Sequence, residues 1–485
     1  MNEALRRLSV VVLLLFGLLL VNINYLQVLR ADELHNHRSN PRLISEEYSR
    51  ERGEIVVGGE PAARSVETDD RLKFKRVYPA GKLYAHATGF YSLVYGATGI
   101  EAQANAILSG TDESLFVRRV IDTLTGTPPR GGSVTLTLDP QAQRAAYRGL
   151  RRQGARGAVV AINPSTGAIL AMASTPSFDP NLLASHDPPA IRRAYERLDS
   201  ATGRPMLNRA IRETYPPGST FKIVTAAAAL ESGQYQPDSR VPNTAALDLP
   251  LTDATLPNYD GDTCTDTGRA TLTDALKFSC NVAFGKVGME LGADVLREQA
   301  ERFGFNESFE IPMTTVPSRF PEDLNDPQAA QSAIGQFDVR ATPLQMAMVV
   351  AAVANRGVLM KPYLVREVGG PDLSVLSTTD PEEVGVAVSP QTAAALAQMM
   401  TAVVEEGTGS NARIEGVRVA GKTGTAQQGE GRRPHAWFVS FAPSDTEPQV
   451  AVAVVLENGG NAPEVSGNAL AAPIARDVML AVLNR

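Results

Sequence analysis

The stretch that decides the fold is Pro217-Gly218-Ser219-Thr220-Phe221-Lys222, which runs directly into the apolar segment Ile223–Leu230. Proline and glycine interrupt the chain just before that segment, so the sequence predicts a helix with Ser219 in its first turn. A spacing of three places Ser219 and Lys222 on one face of this turn. A serine attacks well only when a base takes its proton, and a lysine becomes that base when burial or a neighbouring charge lowers its pKa. The pattern therefore predicts an activated serine nucleophile.

The scarcity of lysine makes this motif more informative. The chain has 46 Lys and Arg residues, of which only eight are lysines, and Lys222 is the only lysine with a serine three residues before it. A second motif, Ser279-Cys280-Asn281, ends the helical segment Leu272–Lys277. Its hydroxyl and amide can line one rim of a cleft, where the amide of Asn281 would hold both a substrate carbonyl and the base lysine. Ser466-Gly467-Asn468 matches the same pattern, but it lies in a glycine-rich loop and is interpreted as structural.

The third motif is Gly421-Lys422-Thr423-Gly424-Thr425, at the end of the strand-like run Gly416–Thr423. On a strand, Lys422 and Gly424 share one face and Thr423 takes the other. Because Gly424 has no side chain, a substrate backbone could lie close to the strand, and Lys422 with the hydroxyls could bind a carboxylate. The same run satisfies the P-loop pattern, but it lacks a following helix, which argues against nucleotide binding.

Each motif has a structural alternative, since Ser219 and Ser279-Cys280-Asn281 could cap helices and Lys422 could be a solvated strand residue. The order of the motifs along the chain favours a catalytic role. Ser-x-x-Lys, Ser-x-Asn and Lys-Thr-Gly are, in this order, the three motifs described for penicillin-binding proteins and serine β-lactamases.

The N-terminus predicts the compartment. After Arg6 and Arg7 no charge appears until Arg30, and the 22 residues of Leu8–Leu29 are long enough to cross a bilayer as a helix. No small-residue cleavage site follows, so we expect an uncleaved signal anchor with the N-terminus inside and the rest of the chain exported. A buried helix is the weaker alternative. The formal charge of −7 gives nucleic-acid binding no support, and two cysteines with five histidines leave little for a metal site, so no cofactor is expected.

The 485 residues exceed one ordinary core. The prolines and glycines of the segment 127–132 interrupt secondary structure and mark a predicted domain boundary. After it, predicted strands at 133–138, 158–162 and 168–173 precede a mostly helical region that ends near Glu406. Strand-like runs at 416–423, 436–441 and 450–456 precede a final helix over Ala471–Leu483. Strands at both ends with helices between them predict an α+β fold whose sheet pairs N- and C-terminal segments.

The chain resembles the penicillin-binding proteins, specifically the monofunctional, membrane-anchored class B type, and within it the PbpA type of actinobacteria. Beyond the three motifs, similar landmarks are Asn208-Arg209-Ala210, Ala333-Ile334-Gly335-Gln336, Thr342-Pro343-Leu344-Gln345, His435-Ala436-Trp437-Phe438 and Gly99-Ile100-Glu101. One departure is visible, because the family's Arg-Gly-x-x-x-Asp-Arg element appears only as Arg52-Gly53-Glu54-Ile55.

The resemblance implies a penicillin-binding transpeptidase fold, with an antiparallel sheet flanked by helices and an all-helical subdomain. It divides the chain into an anchor over 1–30, a dimerisation or pedestal domain over 31–130 and a transpeptidase domain over 131–485. The implied partners are peptidoglycan stem peptides ending in D-Ala-D-Ala, β-lactam antibiotics, the cytoplasmic membrane, a polytopic glycan-polymerising glycosyltransferase and division proteins.

The implied reaction is a D,D-transpeptidation through a Ser219 acyl-enzyme. Lys222 would act as base, Asn281 would orient it and Ser279 would relay a proton to the departing D-alanine. The backbone N–H groups of Ser219 and Thr425 would form the oxyanion hole. The resemblance assigns the terminal carboxylate to Lys422, Thr423 and Thr425, along the strand that contains Gly424.

Two other functions remain open besides the transpeptidase and the disfavoured P-loop. A carboxypeptidase or β-lactamase would use the same serine with water as acceptor, and a β-lactam sensor or division scaffold would not need catalysis at all. The anchor and the extra N-terminal region favour the transpeptidase. In an exported protein an isolated cysteine pair is more often oxidised than free, so we expect a Cys264–Cys280 disulfide beside the second motif.

Overall fold

The N-terminal segment of the computed structural model is one long helix. The structure describes residues 2–30, 47–126, 128, 130–250, 252–259, 261–372, 374–429, 431–460, 462 and 465–484. An α-helix over Asn2–Asn24 continues as a π-helical turn over Tyr25–Leu29. Its apolar part, Leu5–Gln27, is long enough to span a membrane and is not buried by the other residues that the structure describes. The predicted helix is therefore present, whereas the first residues of the predicted pedestal, 31–46, lie outside the described residues.

The body of the protein combines two main sheets with many helices. The strands are β1 (Ile55–Val57), β2 (Glu60–Glu67), β3 (Phe74–Val77), β4 (Tyr91–Ser92), β5 (Gly96–Ala97), β6 (Ser133–Leu136), β7 (Gly157–Ile162), β8 (Ile169–Thr175), β9 (Arg240–Val241), β10 (Ala246–Asp248), β11 (Thr255–Pro257), β12 (Ala270–Thr271), β13 (Val358–Met360), β14 (Val365–Gly369), β15 (Val375–Thr378), β16 (Glu383–Val386), β17 (Ala420–Ala426), β18 (His435–Ala442) and β19 (Val450–Leu456). The α-helices after the anchor are Ala85–Thr88, Gly99–Gln103, Asn105–Leu108, Phe116–Thr125, Pro140–Arg152, Pro188–Asp199, Arg209–Arg212, Lys222–Glu231, Leu272–Lys277, Asn281–Leu291, Ala293–Arg302, Asp326–Ala333, Pro343–Ala354, Pro390–Glu405, Gly467–Leu470 and Ala472–Leu483.

Several helices begin with a capping residue followed by proline. Asp139, Asp187, Thr342 and Ser389 each accept a hydrogen bond from a backbone N–H of the first turn, and a proline comes directly after each of them. The cap satisfies an N–H group that the helix leaves free, and proline has no N–H to satisfy at that position. The helix predicted from Pro140 is confirmed by this signal and ends at Arg152.

The central sheet has five antiparallel strands in the order β17-β18-β19-β7-β8. Every residue of β7, β8, β18 and β19 is buried, which explains why these strands are continuous apolar runs rather than alternating ones. Helices Pro140–Arg152 and Ala472–Leu483 cover one face, and helix Pro343–Ala354 lies on the other. Because β19 pairs with β7, the predicted pairing of N- and C-terminal segments is confirmed.

A second, mixed sheet has six strands in the order β15-β14-β6-β1-β2-β3. Its strand β6 pairs in parallel with β1 and antiparallel with β14. Residues on both sides of the predicted boundary at 130 therefore contribute to one sheet. The division into 31–130 and 131–485 stays a prediction.

A buried ion cluster holds the N-terminal region together. Arg52 and Arg76 donate through Nε to the two carboxylate oxygens of Glu101, at 2.7 and 2.6 Å, and the Tyr78 hydroxyl donates to the same carboxylate at 3.1 Å. Glu101 is fully buried, and the two arginines hold its pKa below the usual range. Arg52, the first residue of the element that this sequence shares only in part with the family, is thus paired inside this region.

Two sequence expectations about secondary structure were wrong in detail. The region up to Glu406, expected to be mostly helical, also contains the eight short strands β9–β16 between its helices. The strand expected over 416–423 begins only at Ala420, because Gly416 adopts a left-handed backbone (φ +74°) in a turn that joins Ile414 to Val417.

Candidate active site

The predicted nucleophile lies in a single turn between the sheet and the helical region. Residues Gly218–Phe221 form a 3₁₀ turn, and the helix Lys222–Glu231 follows without a break. The Gly218 N–H donates to the Gly335 carbonyl at 2.9 Å, and a Cβ on Gly335 would lie 2.2 Å from the Gly218 oxygen. Only glycine fits at position 335, which explains why it stands in one of the motifs similar to the family. Ser219 is half-buried between the buried residues Gly218 and Thr220.

Lys222 is buried and held by the second motif. Its Nζ donates to the Ser279 carbonyl at 2.6 Å and to Asn281 Oδ1 at 2.8 Å, and it lies 3.4 Å from Ser279 Oγ. Burial, with a smaller contribution from the charge of Lys422, lowers the pKa of Lys222 well below its usual value. This shift favours the neutral amine, which is the form that a general base requires.

The second motif connects two helices. Leu272–Lys277 ends just before it, Asn281 is the first residue of the helix Asn281–Leu291, and Ser279 between them has a left-handed backbone (φ +64°). This turn directs the carbonyl of Ser279 at Lys222 and its hydroxyl at Lys422. The predicted disulfide between Cys280 and Cys264 is present, with 5.6 Å between the two Cα atoms.

Lys422 is also buried, and its ammonium group faces Ser279. Its Nζ donates to Ser279 Oγ at 2.8 Å and to the Thr423 carbonyl at 2.9 Å. Burial lowers the pKa of Lys422 to about 7. The structure thus brings Lys422 to the serine of the second motif, while its expected contact with a carboxylate stays a prediction.

The strand that contains the third motif packs directly against the nucleophile turn. β17 is an edge strand, paired with β18 on one side only. A Cβ on Gly424 would lie 2.9 Å from Thr220 Cγ2 and 3.2 Å from the Pro217 carbonyl. Glycine at this position therefore accommodates the nucleophile turn, which differs from the sequence expectation that it makes room for a substrate backbone. Thr423 Oγ1 contacts Thr408 Oγ1 at 2.9 Å, and Thr425 is half-buried at the open end of the motif.

The structure also bears on the two competing motif assignments, the second Ser-x-Asn match at 466–468 and the P-loop pattern. Gly467 and Asn468 belong to the short helix Gly467–Leu470, and Asn468 Oδ1 accepts the backbone N–H of Asn411 at 2.9 Å. The P-loop reading fails because the motif is itself a strand, and the described part of the segment 427–434 contains no helix.

The supporting roles of two residues, Asn258 and Glu457, could not be predicted from the sequence. Asn258 Oδ1 accepts the backbone N–H groups of Asn281 and Val282 at 2.9 and 3.1 Å, which fixes the start of the helix that contains Asn281. Glu457 accepts from Arg209 Nε at 2.8 Å and from the hydroxyl of Tyr215 at 2.9 Å, close to the segment that leads into the nucleophile turn. Each is a single polar residue outside any motif, and only Arg209 carried a signal, as part of Asn208-Arg209-Ala210.

Comparison with known proteins agrees with this geometry. Residues 157–480 match the family model of the penicillin-binding protein transpeptidase domain, and residues 52–134 match that of the penicillin-binding protein A dimerisation domain. The chain therefore belongs to the penicillin-binding protein transpeptidase family.

Its similarity to one branch of this family extends over the full length. The chain is 46% identical over 494 residues to peptidoglycan D,D-transpeptidase PbpA of Mycolicibacterium smegmatis, with 100% of this chain and 99% of that protein covered. It is also 46% identical over 497 residues to PbpA of Mycobacterium tuberculosis, with the same coverage. The solved structure of penicillin-binding protein A from M. tuberculosis as a ceftriaxone acyl-enzyme superposes with a TM-score of 0.88 at 44% identity, covering 90% of this chain and 100% of that chain.

Proposed function

We propose that this chain is a peptidoglycan D,D-transpeptidase that cross-links stem peptides through a Ser219 acyl-enzyme and is acylated by β-lactams at the same residue. The observation that carries the proposal is the environment of Lys222. Lys222 follows Ser219 by about one helical turn, is fully buried and has a lowered pKa. Its Nζ donates a hydrogen bond of 2.8 Å to Asn281 Oδ1. A lysine without a catalytic role would only destabilise the fold at this position, because burying a cation without an acidic partner is unfavourable.

The first half-reaction forms the acyl-enzyme. Ser219 Oγ attacks the carbonyl carbon between the last two D-alanines, while its proton passes to neutral Lys222. The negative charge that develops on the carbonyl oxygen is stabilised by the backbone N–H groups of Ser219 and Thr425, the kind of contribution that often dominates acyl transfer. The peptide C–N bond then breaks, and the departing amine takes a proton.

Ser279 is suited to deliver that proton. Its hydroxyl lies 3.4 Å from Lys222 Nζ and 2.8 Å from Lys422 Nζ, so it connects the base to the opposite side of the cleft. The charge of Lys422, with the hydroxyls of Thr423 and Thr425, would hold the terminal carboxylate of the donor at that side. A hydrogen bond between the ammonium group of Lys422 and a carboxylate is strong because both groups are charged.

The second half-reaction transfers the acyl group to an amine. The amine of a second stem peptide attacks the Ser219 ester, Lys222 takes its proton, and the Ser219 oxygen leaves and regains a proton. A carboxypeptidase or β-lactamase would use water at this step instead. The full-length similarity to D,D-transpeptidases and the match of residues 52–134 to a dimerisation domain favour the transpeptidase.

The setting of the reaction is proposed from the N-terminal helix. Arg6 and Arg7 precede the apolar span, which favours a cytoplasmic N-terminus and a catalytic domain outside the membrane. We propose the division into an anchor over 1–30, a pedestal over 31–130 and a catalytic domain over 131–485. A polytopic glycosyltransferase and division proteins are the proposed partners, since this chain has room for one catalytic domain and the cross-linked glycan must be polymerised beside it.

Labelling with a fluorescent penicillin tests the proposal. The full-length chain should be labelled covalently, Ser219→Ala should remove the label, and the control Ser466→Ala in the structural look-alike motif should retain it. Absence of Ser219-dependent label would overturn the proposal. Rapid loss of the label in buffer would favour the hydrolase, and rescue of a depleted strain by Ser219→Ala would favour the scaffold.

A further inference from the structure

A cavity of about 600 Å³ lies beside the nucleophile turn. Its walls come mainly from residues 213–216, 336, 337, 340, 427–429 and 432, together with parts of the turns that contain Arg156, Arg204 and Glu457. The first wall segment leads directly into Pro217 and the nucleophile turn, and the Trp437 indole N–H donates to the Pro216 carbonyl at 3.0 Å. The cavity is thus built onto the active site.

The cavity carries a positive charge within an acidic protein. Five arginines line it (Arg156, Arg204, Arg209, Arg340 and Arg432), and we call it the arginine cavity. Two glutamates oppose them, which leaves a formal charge of +3, whereas the whole chain carries −7. Two further titratable groups line the wall. His435 stays neutral because burial lowers its pKa to about 4, and Tyr215 stays neutral because burial raises its pKa.

Two of the arginines have no acidic partner among the described residues. Glu457 pairs with Arg156 and Arg209, at 2.9 and 2.8 Å. Arg204 pairs with Glu213 at 3.0 Å. Arg340 and Arg432 form no ion pair within the part of the chain that the structure describes. The guanidinium group of Arg340 donates a hydrogen bond to the neighbouring Val339 carbonyl, at 3.2 Å. The positive charge is therefore available to a ligand.

The direction of the edge strand indicates which part of a substrate enters the cavity. If the terminal carboxylate of the donor lies at Lys422 and Thr423 and its scissile carbonyl at Thr425, the peptide runs antiparallel to β17. Its residues upstream of the scissile bond then continue past Ala426 towards Gln427, a wall residue of the arginine cavity. Because a strand advances about 3.3 Å per residue, a side chain two or three residues upstream reaches this space.

We infer that the arginine cavity binds a carboxylate carried by the donor peptide upstream of its scissile bond, with Arg340 and Arg432 as the binding groups. The inference rests on the proposed function, since it takes the donor's orientation from it. Two arginines without acidic partners in one cavity suit a carboxylate, because guanidinium groups bind this group through paired N–H donors. Donors and β-lactams with an acidic acyl part should therefore acylate Ser219 faster than neutral ones of the same shape.

The test uses two penicillins that differ only in an acyl side-chain carboxylate or carboxamide. Their second-order acylation rate constants are measured with the full-length chain in detergent, for wild type, Arg340→Gln, Arg432→Gln and the control Arg192→Gln. Arg192 is an exposed arginine on helix Pro188–Asp199, so its replacement removes the same net charge elsewhere. Wild type should prefer the carboxylate, and each cavity variant should lose about tenfold of that preference, the size expected for one charge-assisted hydrogen bond.

The carboxamide serves as the folding control, because its acylation rate should change less than about twofold in a variant that folds. Equal rates for both penicillins in wild type, or a preference that both cavity variants retain, would overturn the inference while leaving Ser219 acylation intact. Failure of both compounds to acylate wild type would overturn the proposed function itself.

A second arm separates donor from acceptor. A preformed neutral acyl-enzyme is offered amine acceptors with and without a carboxylate. If the cavity variants slow only the carboxylate-bearing acceptor and leave the donor preference unchanged, the inference about the donor is overturned.

Discussion

Lys422 Nζ donates a hydrogen bond of 2.8 Å to Ser279 Oγ, across 143 residues of sequence. The same hydroxyl lies 3.4 Å from Lys222 Nζ, so one serine stands between two buried lysines. Two ammonium groups this close disfavour each other's charge, and the charge of Lys422 contributes to the lowered pKa of Lys222. The charge of Lys422 therefore favours the neutral form of Lys222, the form that acts as a base.

Lys222→Arg should abolish acylation, because a guanidinium group stays protonated in proteins and cannot take the serine's proton. Loss of a positioned general base typically lowers a rate by about 10²- to 10⁴-fold. The measurement is the second-order rate constant for a fluorescent penicillin. Lys286→Arg, on the exposed side of helix Asn281–Leu291, should leave that constant unchanged. An active Lys222→Arg variant would remove Lys222 from the role of base.

The pH dependence of acylation should be bell-shaped. Lys222 must be neutral to act as base, so the rate falls on the acid side as this lysine is protonated. Lys422 must be charged to hold the substrate carboxylate, and with a pKa of about 7 it loses its charge as the pH rises through that value. The alkaline limb should therefore fall near pH 7.

Lys422→Arg distinguishes this assignment from other causes of an alkaline limb, because arginine keeps its charge to much higher pH. In the variant, the alkaline limb should move upward or vanish while the acid limb remains. An alkaline limb unchanged in Lys422→Arg would mean that another group titrates there.

The sequence predicted the components of the site better than their arrangement. The three motifs, the helix after Ser219 and the sheet that joins β7 to β19 follow from local patterns and spacing. The contact between Lys422 and Ser279 does not, because it depends on how the helical region folds back onto β17. The supporting roles of Asn258 and Glu457 were equally out of reach, since single polar residues in loops form no period and no motif.

Glu101→Gln should destabilise the N-terminal region. The carboxylate of Glu101 is fully buried between Arg52 and Arg76, so neutralising it leaves two buried cations without an acidic partner. Breaking a buried ion pair in this way costs about 3–5 kcal/mol. Denaturant unfolding measures the loss, and Glu113→Gln, at an exposed position, is the control. Equal unfolding midpoints for the two variants would contradict the structural role of the cluster.

Removing the disulfide with Cys264→Ser and Cys280→Ser should lower both stability and acylation. Closing a loop of 16 residues contributes about 3 kcal/mol in the chain-entropy model. Cys280 also stands between Ser279 and Asn281, so greater freedom there would loosen the hydrogen bonds to Lys222. Thermal unfolding with and without reductant tests this: wild type should respond to reductant and the double variant should not. Alkylation of both thiols in non-reduced wild type would contradict the premise.

Gly424→Ala should slow acylation through the position of the nucleophile turn. The added Cβ would lie 2.9 Å from Thr220 Cγ2 and 3.0 Å from Trp437 Cβ, closer than carbon atoms normally approach. The strand and the turn that contains Ser219 must then separate, and a misplacement of about 1 Å at a reacting group can cost about 100-fold in rate. Gly385→Ala on the exposed strand β16, where nothing lies within 4 Å of the added atom, should leave the rate constant unchanged. Because overpacking costs typically about 1–3 kcal/mol, thermal unfolding should show that Gly424→Ala remains folded at the assay temperature.

A Gly424→Ala variant that is acylated as fast as wild type would mean that the turn tolerates displacement, and that the close packing of β17 on Thr220 does not position Ser219.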